Sequence, residues 1–430
     1  MSVLWQKNST NIDEQLQDFM AGEDVLLDQV LLPFDILASI AHVNGLKNIQ
    51  VLSEVEASQI ITELNALAQE FDEDEFLLDN RFEDGHSAIE FYLTEKLGDV
   101  GKKVHTGRSR NDQVLVASRL YMRHRLEEIF DVCGEIIQSF LNAAHAGEKV
   151  AMPGYTHLQR AVPSSVGMWA ASFAESFLDN ALGLMQCFDI INCSPLGTAA
   201  GYGVNLPLDR EHVAEALDFD RLQVNPMYAQ NSRGKFELQA LNALSFCLMD
   251  VRRLSWDLSL FTTAEYDFVT LPNTYTTGSS IMPNKRNPDV VELLRAAVSP
   301  LLGATNEIAS LLSLPSGYQR DLQGTKGPFI RNMESGLKAL RLIPALVDNL
   351  EWDKEKMTAA ISADMYATDR AVELTSSGVP FRDAYRQVGD ELEQLEKRDP
   401  QQSLADRVSL GGPGNLGLDI LQNRYKELFG

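Results

Sequence analysis

The sequence predicts an all-α protein: three domains around a central bundle of long helices, assembling with other subunits into a shared helical core. Three observations lead there. Residues 113–147, 164–191, 235–266, 288–313 and 328–350 have few internal breakers and carry apolar residues at helical spacing. At about 1.5 Å per residue, elements of this kind span roughly 35–50 Å, long for a globular domain. The second observation is the segment 235–266. Its Phe236, Leu238, Leu241, Leu244, Phe246, Cys247, Leu248, Met249, Val251, Leu254 and Trp256 point around most of the helix circumference. A helix apolar on nearly every face needs cover on nearly every face, and one chain with five long helices is short of cover. The third is the scarcity of strand signals: residues 149–162 and 193–206 hold Gly/Pro turns rather than alternating patterns.

At 430 residues the chain calls for two or three domains. A basic, Gly-containing stretch at 101–110 and the end of the last long helix near 351–357 set the boundaries. They give an N-terminal helical domain (1–107), a central long-helix domain (108–354) and a small C-terminal helical domain (355–430). A formal net charge of −24 argues against nucleic acid or an acidic membrane surface as partner, since both attract a basic face. Lys102, Lys103, Arg108 and Arg110 nevertheless crowd into nine residues, after an acidic region with Glu70, Asp72, Glu73, Asp74 and Glu75. An anionic small molecule would be drawn to those cations.

Cys133, Cys187, Cys193 and Cys247 lack metal-ligand spacing, and three lie in apolar helical runs, so buried free thiols in a reducing cytoplasm are expected. Met1 to Thr10 lacks the basic-then-apolar layout of a secretion signal. No run of about eighteen uncharged apolar residues stands out, so no membrane-crossing helix is expected.

The most informative stretch is Gly278-Ser279-Ser280-Ile281-Met282-Pro283-Asn284-Lys285-Arg286-Asn287-Pro288. Asn287 reads as an N-cap and Pro288 as the first helical residue, so the loop should bring its polar groups to a positive helix end. A helix start beside a lysine suits a carboxylate. Three more motifs carry chemistry. His105-Thr106-Gly107-Arg108-Ser109-Arg110-Asn111-Asp112-Gln113 sets two arginines around a serine at a helix start, and arginine's planar fork suits bidentate carboxylate recognition. Gly154-Tyr155-Thr156-His157-Leu158-Gln159-Arg160 places a histidine in an irregular segment, where it can hold or give a proton near neutral pH. Tyr318, Gln323 and Lys326, at intervals of five and three, could contact a polar amino-acid head group.

Together these four strings resemble the argininosuccinate lyase family of the fumarase/aspartase superfamily, whose relatives include the lens δ-crystallins. Weaker similarity at 35–42, 83–86, 378–384 and 388–389 extends the resemblance over roughly residues 31–390. It implies a cofactor-free, reversible splitting of argininosuccinate into arginine and fumarate, in arginine biosynthesis. It also implies a homotetramer in which each active site draws residues from three subunits.

On matching positions, the resemblance makes Ser279 the base that takes a proton from the carbon beside a carboxylate. His157, paired with Glu292, handles the proton for the leaving guanidinium nitrogen, while Lys285 and Asn287 stabilise the intermediate. Ser109, Arg110, Asn111 and Thr156 bind the succinyl part, with Ser39, His86, Tyr318, Gln323 and Lys326 around the rest. The chemistry explains the need. Removing that proton piles negative charge onto an existing anion, so fixed positive ends must meet it. A serine serves as base only where local dipoles favour its alkoxide.

The chain also departs from the family. Leu4-Trp5 is followed by Gln6-Lys7-Asn8-Ser9 where relatives have Gly-Gly-Arg-Phe. Ser232-Arg233-Gly234-Lys235-Phe236 replaces an Asp-Arg-Asp-Phe-like string, leaving Arg233 and Lys235 as alternatives for one substrate-binding cation. The C-terminal domain looks short.

Overall fold

The computed structural model describes Phe19 and residues 22–79 and 81–430. The atypical N-terminal string Leu4 to Ser9, and most of the stretch before Asp24, lie outside the described residues. The fold is mostly α, 67% helical with a few short strands. Its principal helices are α1 (Asp24–Asn48), α2 (Glu54–Asp72), α3 (Gly85–Leu97), α4 (Arg110–Gly147), α5 (Val166–Ile191), α6 (Lys235–Phe261), α7 (Asp289–Ala296), α8 (Val298–Leu311) and α9 (Lys326–Leu340), with shorter ones between and after them.

Two of the five long segments are broken where one helix was expected. The run 288–313 divides at Ala297, and the run 328–350 ends at Leu340 before a short helix, Ile343–Asp348. Proline explains both. Pro300 and Pro344 sit in the first turn of the second piece, where a missing amide costs nothing. In one continuous helix, each would leave a carbonyl four residues back without its donor.

The chain forms two compact units, one of residues 1–128, 185–243 and 300–334, the other of 129–184, 244–299 and 335–430. In the first, α1, α2 and α3 enclose a core of Leu32, Ile36, Val43, Leu46, Ile60, Leu64, Leu67, Ile89 and Leu93. Burying each such side chain is worth about 1.5–3 kcal/mol. Ser53 and Glu56 form a capping box that starts α2, and Asp84 and Ser87 form another that starts α3. The opposite side of α1 packs Ala38 and Ala41 against Val116, Leu196 and Val213. Apolar on two faces, α1 is long and apolar enough to cross a membrane by length and composition, unlike the sequence expectation. Yet 56% of its most apolar window is buried inside the protein, which is the property of a core helix.

In the second unit the sequence signal for a strand pair was missed. Ala151–Thr156 and Gln159–Ser165 form an antiparallel hairpin, β1 and β2, with a register shift around Gly154. The bulge hid the alternation on which strand recognition relies. A Cβ on Gly154 would lie 2.7 Å from the Val162 carbonyl oxygen, so only glycine fits there without a shift. All four cysteines are buried and free, with the Cys133 and Cys247 sulfurs 3.9 Å apart.

Candidate active site

Within the first unit, a cavity of about 350 Å³ gathers charged side chains from five parts of the sequence. Its cations are His86, Arg110, Arg233, Arg320 and Lys326, and its acids are Asp24, Asp28, Glu83 and Asp84. Asn111, Tyr318 and Gln323 complete the polar lining. Six of the expected substrate-binding residues therefore line one cavity: His86, Arg110, Asn111, Tyr318, Gln323 and Lys326. Its size suits a small polar molecule.

The local sequence explains each placement. Asp84 caps α3, so His86 stands in the first turn of that helix. Arg110 opens α4 and is held by Glu83 at 2.9 Å and Asp84 at 3.2 Å. Lys326, at the start of α9, is buried between Asp28 at 2.7 Å and Asp24 at 2.9 Å. Burial opposes its charge, but the two carboxylates outweigh burial and hold its pKa above the ordinary lysine value. Asp24 is raised, by burial first, with the like charge of Asp28 adding to it against the pull of Lys326. Asp84 is lowered. Burial would raise it, but His86 and Arg110, with hydrogen bonds from Ser87, prevail.

Of the two cations in the divergent 232–236 string, Arg233 lines the cavity and lies 5.8 Å above the Tyr318 ring. Lys235 instead bonds the exposed Tyr228 hydroxyl at 3.0 Å. Two expected contacts stand elsewhere. Ser39 is fully buried on α1, its hydroxyl accepting from Arg108 at 2.8 Å. Ser109 caps α4: its hydroxyl accepts from the Asn111 amide, and its own amide donates to Asp112. The crowded cations at 102–110 do not form a free basic patch either. Lys102 pairs with Asp99, Lys103 with Glu56, and Arg108 with Asp35. The acids Asp24, Asp28, Glu83 and Asp84 also line the cavity without being candidates from sequence, although Glu83 and Asp84 lie in the similar stretch 83–86 and Asp84 carries a capping signature with Ser87.

The second unit holds the expected catalytic residues. Thr156 and His157 lie at the exposed tip of the β1–β2 hairpin. His157 and Leu158 form its two-residue turn with φ of 55° and 58°. Both are left-handed, as a type I′ turn demands, and neither is the glycine or asparagine such turns favour. The Gly278–Arg286 loop is pinned at its base by a bridge in which Thr277 and Asn287 exchange backbone bonds of 3.0 and 2.8 Å. Asn287 is thus a clasp rather than the N-cap expected from sequence. Pro288 holds the cap position and α7 begins at Asp289. The Ser279 hydroxyl oxygen accepts from the amides of Ile281 (3.3 Å) and Met282 (3.0 Å). Arg286 anchors the loop on the Leu271 carbonyl and the Asn273 side chain. Lys285 and Glu292 are exposed. Within one copy of the chain, no hydrogen bond or ion pair joins His157 to Glu292 among the described residues.

Chemically, Ser279 sits where amide donors favour its deprotonated oxygen, and the cavity of the first unit can hold a molecule bearing both carboxylates and cations.

Comparison with known proteins identifies the family. A family model described as "Lyase" matches residues 10–303. The argininosuccinate lyase of Stenotrophomonas maltophilia (strain K279a) is 53% identical over 427 residues, 99% of each chain. That of Xylella fastidiosa (strain Temecula1) is 53% identical over 428 residues, covering 99% of this chain and 96% of the relative. Among solved structures, EDDS lyase in complex with formate superposes with a TM-score of 0.83 at 22% identity, over 97% of this chain and 91% of the other. Class II fumarase from Schistosoma mansoni gives 0.72 at 16% identity, over 92% and 96%. These last two share the fold. The chain belongs to the argininosuccinate lyase family of the fumarase/aspartase superfamily, and it is a lyase enzyme.

Proposed function

We propose that the protein catalyses the reversible anti elimination of argininosuccinate to L-arginine and fumarate, in arginine biosynthesis, without a cofactor. One observation carries the reading: identity of 53% to proteins of that name along 99% of both chains. The intact Ser279, Lys285, Asn287 and Glu292 around one loop and His157 on its hairpin support it.

In this mechanism Ser279 Oγ takes the proton from the carbon beside a carboxylate, its alkoxide favoured by the Ile281 and Met282 amides. Lys285 and Asn287 meet the charge that collects on that carboxylate. His157, with Glu292 raising its basicity, delivers a proton to the departing guanidinium nitrogen. Arg110, Asn111, Thr156 and Ser109 take the succinyl end, the last through its place at the start of α4. His86, Tyr318, Gln323 and Lys326 hold the remainder, with Ser39 acting from behind.

The exposure of His157, Lys285 and Glu292 in one copy, with Ser279 only half-buried, supports an active site completed by other copies in a homotetramer. Phe246, Met249 and Trp256 on α6 point the same way: these large apolar side chains are 59%, 40% and 52% exposed. The division into domains at 107/108 and 354/355, and a cytoplasmic location without nucleic-acid or membrane partners, belong to the same proposal.

The test is direct. Purified protein supplied with argininosuccinate should raise fumarate absorbance, whereas adenylosuccinate, aspartate and malate should not. Ser279→Ala should lower turnover by about 100-fold or more. Near-normal turnover in that variant would remove Ser279 from the mechanism, and fumarate release from adenylosuccinate alone would replace the substrate.

A further inference from the structure

Behind His86, on the side away from the cavity, lies a chain of buried polar groups that the mechanism above does not use. Asp35 Oδ2 sits 2.5 Å from His86 Nδ1. Its other oxygen, Oδ1, is 3.6 Å from the Arg108 guanidinium, and Arg108 donates to the Ser39 hydroxyl at 2.8 Å. Asp35 and Ser39 stand one turn apart on α1, whereas His86 comes from α3 and Arg108 from the residues just before α4. All of Asp35, Ser39 and Arg108 are buried, at 2%, 0% and 8% exposure. None of the three lines the cavity; His86 does.

We propose that Asp35 is a positioning residue for catalysis: it fixes the ring of His86 through Nδ1 and keeps that ring an imidazolium whose Nε2–H faces a substrate carboxylate. The argument is geometric first. A carboxylate takes only a donor, so Nδ1 carries a hydrogen, and the ring cannot flip without burying an unpaired carboxylate. Nε2 has no hydrogen-bond partner among the described residues and is the nitrogen left for a ligand. The Arg108 guanidinium lies 3.6 Å from the second oxygen of Asp35 and donates in turn to the Ser39 hydroxyl, so the buried carboxylate has a fixed cation on its far side. Ser39 thereby gains a role that reaches the substrate only through Arg108, Asp35 and His86.

The surrounding charges agree in sign. Burial would discharge His86, but Asp35, by charge and by hydrogen bond, outweighs it with help from Asp84 and Asp28. The other charged groups near it are Arg108 and Arg110 from the start of α4, Glu83 before α3, and Lys326, which is itself held by Asp28 and Asp24. His42, buried one turn beyond Ser39, is pushed down to about 3 by burial and Arg108, and so adds no charge. The inference rests on the cavity being the substrate site.

The test uses the full-length enzyme with Asp35→Asn and His86→Asn, and succinate as a dicarboxylate probe. Hydrogen–deuterium exchange at the His86 C2 position, read by mass spectrometry against pH, reports the charge of that one ring. Wild type should titrate above about 6.5, and Asp35→Asn should titrate at least one unit lower. Succinate inhibition and KM should weaken about 10-fold at neutral pH in Asp35→Asn and recover as pH is lowered, with kcat much less affected. An unchanged His86 titration and unchanged KM in Asp35→Asn would overturn the proposal. Should that variant not fold, a wild-type His86 titrating at or below about 6.5 overturns it instead. A His86→Asn enzyme with normal KM and kcat would point to a different failure, that of the cavity as the substrate site.

Discussion

Asp28 accepts the Lys326 ammonium on one carboxylate oxygen at 2.7 Å, and the amide of Gly85 on the other at 2.8 Å. One side chain on α1 thus ties the start of α3 to the start of α9, the latter 298 positions further along the chain than Asp28 itself. Removing it leaves a buried ammonium with Asp24 alone. Breaking a buried pair typically costs about 3–5 kcal/mol. Since Asp24 retains half of the arrangement, Asp28→Ala should cost about 2–3 kcal/mol in urea unfolding. Asp28→Ala combined with Lys326→Met should recover much of that loss. An Asp28→Ala protein as stable as wild type would show that the cluster contributes binding chemistry without stability.

Asp84 makes a prediction about acid. Its folded pKa lies below the ordinary value, about 3.9 in an unfolded chain. A depressed carboxylate contributes stability that is fully present above the unfolded pKa and lost as pH falls through the folded one. Asp84→Asn keeps a capping oxygen for the Ser87 amide but removes the charge that faces His86 and Arg110. The variant should therefore be less stable than wild type at pH 7, and the gap should close below about pH 4. Unfolding midpoints measured from pH 3 to 7 decide it: a gap that stays constant would mean the charge is immaterial.

How far the sequence carried the reading depends on the range of each interaction. The long helices were legible because apolar spacing and the lack of breakers act within one segment. The second unit's hairpin was not, because Gly154 interrupts its alternation and two non-glycine residues take a turn that sequence rules assign to Asn-Gly. The cavity was half legible. Arg110, Tyr318 and Lys326 stood in recognisable strings, but Asp24 and Asp28 became site residues only through α9 packing beside them, a contact with no local signature. Ser39 shows the converse error: it lies in a similar string, yet one turn of α1 points it to Arg108 rather than to the cavity.

Leu158 holds φ of 58° at an exposed hairpin tip, and its side chain is 67% exposed. A left-handed residue with a Cβ costs on the order of 1 kcal/mol relative to glycine in the same conformation. Leu158→Gly should therefore raise stability by up to about 1 kcal/mol, after the greater freedom of the unfolded glycine is subtracted. A clear loss of stability would mean that the exposed leucine is covered in the assembled protein, an outcome that size-exclusion chromatography of the variant would corroborate.

His157, beside it, allows the fold and the chemistry to be separated by a single substitution. Asparagine adopts φ near 55° more readily than histidine does and is preferred in type I′ turns. His157→Asn should therefore leave the thermal midpoint within a degree or two of wild type, or raise it. The amide cannot carry the proton that the leaving nitrogen requires, so turnover should fall about 100- to 10,000-fold. Under the proposed function KM should change little, because that reading gives the substrate's charged ends to Arg110 and Lys326 rather than to His157. A variant that keeps wild-type turnover at an unchanged midpoint would assign the proton to another group, with Lys285 the first to examine by Lys285→Met.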